Sequence, residues 1–96
     1  MKSIHTKAAD RLFKAILSLE NTEECYEFFE DLCTVKEIED MASRFDTAVM
    51  LDEGNNYSVI QKETGVSTAT ISRVSKCLQY GPGGYRKVLD RLKNEE

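Results

Sequence analysis

From Asn55 to Leu78 the chain reads NNYSVIQKETGVSTATISRVSKCL, and this stretch restricts the fold more than any other. Ile60 and Thr64 lie four apart, the spacing of one face of a short helix. Gly65 follows where a left-handed or open turn residue is needed. Val66 can plug the gap between two helices, and Ser67 can cap the second by accepting from its unpaired first-turn amides. Ile71, Val74 and Leu78 then fall at i, i+3 and i+7 and point inward. The other face shows Thr68, Thr70, Ser72, Arg73 and Lys76, polar and cationic with no carboxylate. Short helices joined through glycine also make ordinary hairpins. Gly, Val, Ser, Ile and Val at these offsets, together with a basic outer face, select a DNA-reading helix-turn-helix instead. One position departs from the usual pattern: Gln61 stands after Ile60, where such motifs carry a small residue.

The 96 residues allow one domain, and the apolar fraction of 41% supplies a modest core without tryptophan. Helical chains of this size often complete their core by dimerising. The net charge of −4 would oppose nucleic-acid binding if it were spread evenly. It is not: residues 1–55 hold 6 Lys/Arg against 13 Asp/Glu, and residues 56–96 hold 7 against 4. The helix-turn-helix half is therefore the basic one, as a small DNA binder requires. Cys25, Cys33 and Cys77 are widely spaced, and His5 is the only histidine, so no zinc site or disulfide is expected. Cys25 reads as a small core residue. The longest apolar run covers only Ala48 to Leu51, and no signal peptide is visible, so the expected compartment is the cytoplasm and no membrane partner is expected.

Taken in order, the first helix is expected from Ile4 to Leu19, with Ala8, Leu12, Ala15, Ile16 and Leu19 at threes and fours. Phe13 and Leu17 widen its apolar stripe beyond what one helix would cover, which suits a central core helix or, preferably here, a dimer contact. Asn21 and Glu24 form a capping-box pattern opening a second helix, in which Cys25, Phe28, Phe29 and Leu32 face inward. Its outer face carries Glu23, Glu27, Glu30 and Asp31 and reads as solvated surface. Thr34 and Glu37 make another capping box before the longest helix, lined by Ile38, Met41, Ala42, Phe45, Ala48, Val49 and Leu51 and stopped at Gly54. Arg44 stands beside that stripe, either reaching to solvent or walling a ligand pocket. Gln79 to Gly84 breaks the helical pattern, and Tyr85, Val88, Leu89 and Leu92 close the chain with a short helix. The Gly-rich run follows no strand and ends in no Lys-Ser/Thr pair, so it is not a phosphate loop.

The motifs Thr34-Val35-Lys36-Glu37, Ser43-Arg44, Gly65, Ala69-Thr70-Ile71-Ser72-Arg73 and Tyr80-Gly81-Pro82-Gly83-Gly84-Tyr85 resemble those of the Trp repressor superfamily. The resemblance is to its YerC/YecD-like branch of small bacterial proteins, and it spans nearly the whole chain. It implies an all-α fold of about six helices with the helix-turn-helix fourth and fifth. It also implies an intertwined homodimer in which the first three helices of both subunits share one core. Residues 1–54 would then dimerise, 55–79 form the helix-turn-helix, and 80–96 close the single domain. The function implied is sequence-specific transcriptional control, as repressor or activator. No enzymatic chemistry and no cofactor are expected, since no nucleophile–base pair or metal cluster is present. A helix-turn-helix that binds a protein partner is the alternative of another class.

The candidate DNA-binding residues are Gln61, Lys62, Ser67, Thr68, Ala69, Thr70, Ser72, Arg73 and Lys76. Thr68, Ala69 and Thr70 start the recognition helix, the end that reaches base edges, while Gln61, Lys62, Arg73 and Lys76 suit the phosphates of double-stranded DNA. The family resemblance further implies an effector pocket between two arginines, matched by Arg44 and Arg73, with the second contributed by the other subunit. Thr70, Val74 and Cys77 complete the candidate pocket. Val74 replaces the glycine that leaves room for an indole in the Trp repressor, and Cys77 replaces a serine that holds the ligand's polar end. Tryptophan is therefore not the expected effector; Val74 is expected to pack in its place, and a smaller or different effector is the alternative.

Overall fold

The computed structural model describes residues 3–95. Six helices and no strand occur among the described residues: α1 (Lys7–Leu17), α2 (Thr22–Leu32), α3 (Val35–Asp52), α4 (Tyr57–Thr64), α5 (Thr68–Tyr80) and α6 (Gly84–Asn94). The all-α expectation is met, with local differences at the helix ends. α1 starts three residues later than the apolar pattern suggested, because the Thr6 hydroxyl accepts from the Ala9 amide and fixes the first turn there. α5 runs on through Gln79 and Tyr80, and the break comes at Gly81, whose amide donates to the Cys77 carbonyl at 2.9 Å. At α2 the Asn21 side chain accepts from the Glu24 amide as the capping box requires. The returning Glu24 carboxylate, however, accepts from Glu20 and not from Asn21.

The chain divides between Val35 and Lys36 into two compact units. In the first, α1 and α2 carry no buried residue; Phe13, Leu17, Tyr26 and Leu32 are all exposed, and Cys25 is half-buried where a core position was expected. Phe28 and Phe29 meet edge to face with ring centroids 5.6 Å apart.

The second unit holds the core. Ala48 of α3, Val74 of α5 and Leu89 of α6 are buried together, with Phe45, Val49, Leu51, Leu78 and Tyr85 packed around them. Thr47 is wholly buried beside Ala48, which the apolar pattern did not indicate. Its hydroxyl donates to the Ser43 carbonyl at 2.8 Å, so the helix itself satisfies the buried oxygen. Ile60 and Ile71, both inaccessible to solvent, join α4 to α5. At the end of α3, Oδ1 of Asp52 accepts from Nη2 of Arg86 and Oδ2 accepts from Nζ of Lys93, each at 2.6 Å. These bonds tie α6 to α3 behind the recognition helix.

Candidate nucleic-acid interface

The helix-turn-helix is finished by its own residues. Asn56 Oδ1 accepts from the Val59 amide and starts α4. Gly65 stands at φ +76°, a conformation that costs any residue with a Cβ, and its amide donates to the Gln61 carbonyl. Ser67 Oγ accepts from the Thr70 amide at 3.2 Å and starts α5, as its position in the sequence predicts. Val66 is half-buried at the turn. With Ile71 and Val74 fixed in the core, the register of α5 is set, and Thr68, Ala69, Arg73 and Lys76 stand exposed on its outer side with Ser72 half-buried beside them. Gln61 and Lys62 are exposed on α4.

Two of the sequence candidates occupy different positions from that strip. The Ser67 hydroxyl is used in the cap and also donates to Thr70 Oγ1 at 3.1 Å. Thr70 is half-buried and turned toward α3, where it lines two adjoining hollows with Arg44. One, of about 400 Å³, lies against the turn at Gly65 and Val66 and includes Glu39, Asp40 and Ser43. The other, of about 350 Å³, is lined by Arg44, Thr70, Arg73, Val74, Cys77 and Tyr85. All five candidate pocket residues therefore line one hollow within a single chain, both arginines included. Neither guanidinium has an ion-pair partner among the described residues. Val74 forms part of the wall while only 2% exposed, its side chain committed to Ala48 and Leu89. Tyr85 was not among the sequence candidates. It enters from the start of α6, just past the Gly83–Gly84 turn, and its helical face was legible while its neighbour across the hollow was not.

Arg73 also borders a third hollow on the outer side of α5, and so stands on the ridge between the two. Behind the helix, hydrogen bonds from Arg86 first and Lys93 second hold the Asp52 carboxyl down to about 2, from an ordinary value of 3.8. Asp52 raises Arg86 in return, so two of the basic groups of α6 are engaged internally.

Residues 7–93 match the family model of the Trp repressor protein. Bacillus subtilis (strain 168) YerC, itself uncharacterised, is 57% identical over 90 residues, spanning 94% of this chain and 86% of YerC. A Trp repressor-type protein of Staphylococcus aureus, known from its crystal structure, superposes with a TM-score of 0.89 at 51% identity over 94% of this chain and 90% of its own. A TrpR-like protein from Eubacterium eligens ATCC 27750 gives 0.91 at 50% identity over 94% and 93%. A match across nearly the whole length, by sequence and by fold together, leaves one assignment: the chain belongs to the Trp repressor family.

Proposed function

We propose that this chain is a sequence-specific transcriptional regulator that binds double-stranded DNA as a homodimer, in the cytoplasm, with its helix pair set for DNA in the absence of tryptophan. The observation that carries the reading is a self-capped helix-turn-helix with an exposed cationic strip of Arg73 and Lys76 on the outer side of α5. No described helix is long and apolar enough to cross a membrane. The dimer is supported by the amount of apolar surface that one chain leaves in water: Phe13 is 55% exposed, Leu17 84% and Met41 38%. Surface of this kind ordinarily marks a partner. Leu12, Ile16, Phe28 and Phe45, each only half-buried, extend the proposed contact.

Independence from tryptophan is supported by Val74. A glycine there would leave the wall open, whereas valine fills it and links α5 to α3 and α6. The hollow between Arg44 and Arg73 keeps room for a small effector of another kind, which is the second reading.

The decisive experiment is a DNA-binding titration across several sequences and salt concentrations. Regulation of DNA predicts affinities that differ between sequences and fall steeply with salt. Indifference to both would favour a protein partner for the helix pair.

A further inference from the structure

The outer side of α5 holds a hollow of about 550 Å³ that reaches from Ala69 to Gly81, past the residues that a helix-turn-helix needs for base contact. Arg73, Lys76 and Tyr80 line it together with the smaller Ala69 and Cys77. Tyr80 is 82% exposed, a large ring left in water at the end of the helix. Gly81 follows it. A Cβ there would lie 2.4 Å from the Cys77 carbonyl oxygen, so only glycine lets the chain turn so closely at the end of the helix.

We infer that Tyr80 is a DNA-contact residue, and that with Lys76 it forms a clamp on the sugar–phosphate backbone at the edge of the major groove. The inference rests on the DNA-binding reading above and extends it to the last residue of α5, beyond the sequence candidates. Thr68 and Lys76 are separated by about 12 Å along the helix, which is the width of the major groove. With the start of α5 at the bases, Lys76 therefore stands at the groove wall. Helical side chains tilt toward the N-terminus, which directs the Tyr80 ring back over the turn that carries Lys76. The hollow they share agrees with this direction. A phenol hydroxyl donates to phosphate oxygens, and the ring offers an apolar face to deoxyribose. The charge of the site suits the same occupant: among the described residues, Arg73 and Lys76 are the charged groups that line it and no carboxylate does.

The test uses the full chain, with Tyr80→Ala, Tyr80→Phe and Lys76→Ala titrated onto the best-bound sequence and onto unrelated duplexes at several salt concentrations. Tyr80→Ala is expected to weaken binding about tenfold on every duplex, and Tyr80→Phe to lose part of that. The salt slope should stay unchanged in both, because no charge is removed, while Lys76→Ala lowers it by about one. Helix content by circular dichroism and the sedimentation coefficient should match the parent chain. Parent-like DNA affinity for Tyr80→Ala overturns the inference and leaves the DNA-binding reading intact. A loss confined to one sequence overturns the backbone clamp by making Tyr80 a base reader, and dissociation of the dimer overturns the inference by making it an interface residue. A parent chain that binds no duplex overturns both readings.

Discussion

Oδ1 of Asp52 accepts from Nη2 of Arg86 at 2.6 Å across 34 residues of sequence, joining the last turn of α3 to the first turn of α6. A carboxylate at a helix C-terminus faces the negative end of the helix dipole, and here two cations offset that cost. The Asp52 side chain is 11% exposed, whereas Arg86 and Lys93 reach it from the surface. Because partly exposed partners are screened, Asp52→Asn is expected to cost about 1 kcal/mol, measured by urea unfolding. A loss below a few tenths would show that the tie contributes nothing.

The same carboxylate sets an acid limit. Its folded value of about 2 lies below the ordinary 3.8, so its contribution to stability is complete above pH 3.8 and is lost as pH falls through 2. Melting followed from pH 5 to pH 2 should show the parent chain losing stability more steeply than Asp52→Asn. Parallel curves would contradict the shift.

Gly65 and Gly81 should respond differently to alanine. At Gly65 an added Cβ meets nothing within 4 Å, so Gly65→Ala pays only for its left-handed backbone, about 1–2 kcal/mol. At Gly81 the Cβ would collide with backbone, and the loss should be larger although its φ of −75° is ordinary. Thermal melting of the two variants ranks them directly.

Much of this arrangement was legible beforehand because it rests on local chemistry. Asn56, Gly65 and Ser67 act within three or four residues of themselves, so their spacing shows their role. The inward set Ile71 and Val74 follows from helical period alone. The Asp52 tie and the entry of Tyr85 were not legible, because each depends on where α6 returns, and no periodic pattern encodes that. Thr70 was a candidate both for DNA and for the effector pocket; the 100° step of the helix turns it to the α3 side with Arg44, leaving Thr68 and Ala69 as the exposed pair.

That placement yields a prediction on specificity. Thr68→Ala should shift the ranking of preferred sequences, since its methyl and hydroxyl stand at the exposed start of α5. Selection from a random duplex pool, repeated with the variant, reads the change directly. An unaltered ranking would move base recognition to Ala69 and Ser72.

L-tryptophan should change DNA affinity by less than about twofold, given the buried Val74 in the pocket wall. Calorimetry together with binding titrations checks this. A tenfold rise, equivalent to about 1.4 kcal/mol of coupling, would mean that the wall opens for the indole.

The stretch from Asn56 to Gly81 starts and stops both of its helices with its own residues and fastens them inward through Ile60, Ile71 and Val74. Nothing on the outer strip takes part in that fastening. Residues 68, 69, 73 and 76 can therefore be rewritten as a set while the scaffold keeps its shape. A lineage using this scaffold can change what its surface recognises by small steps, and an engineer can graft a different face onto it by the same route.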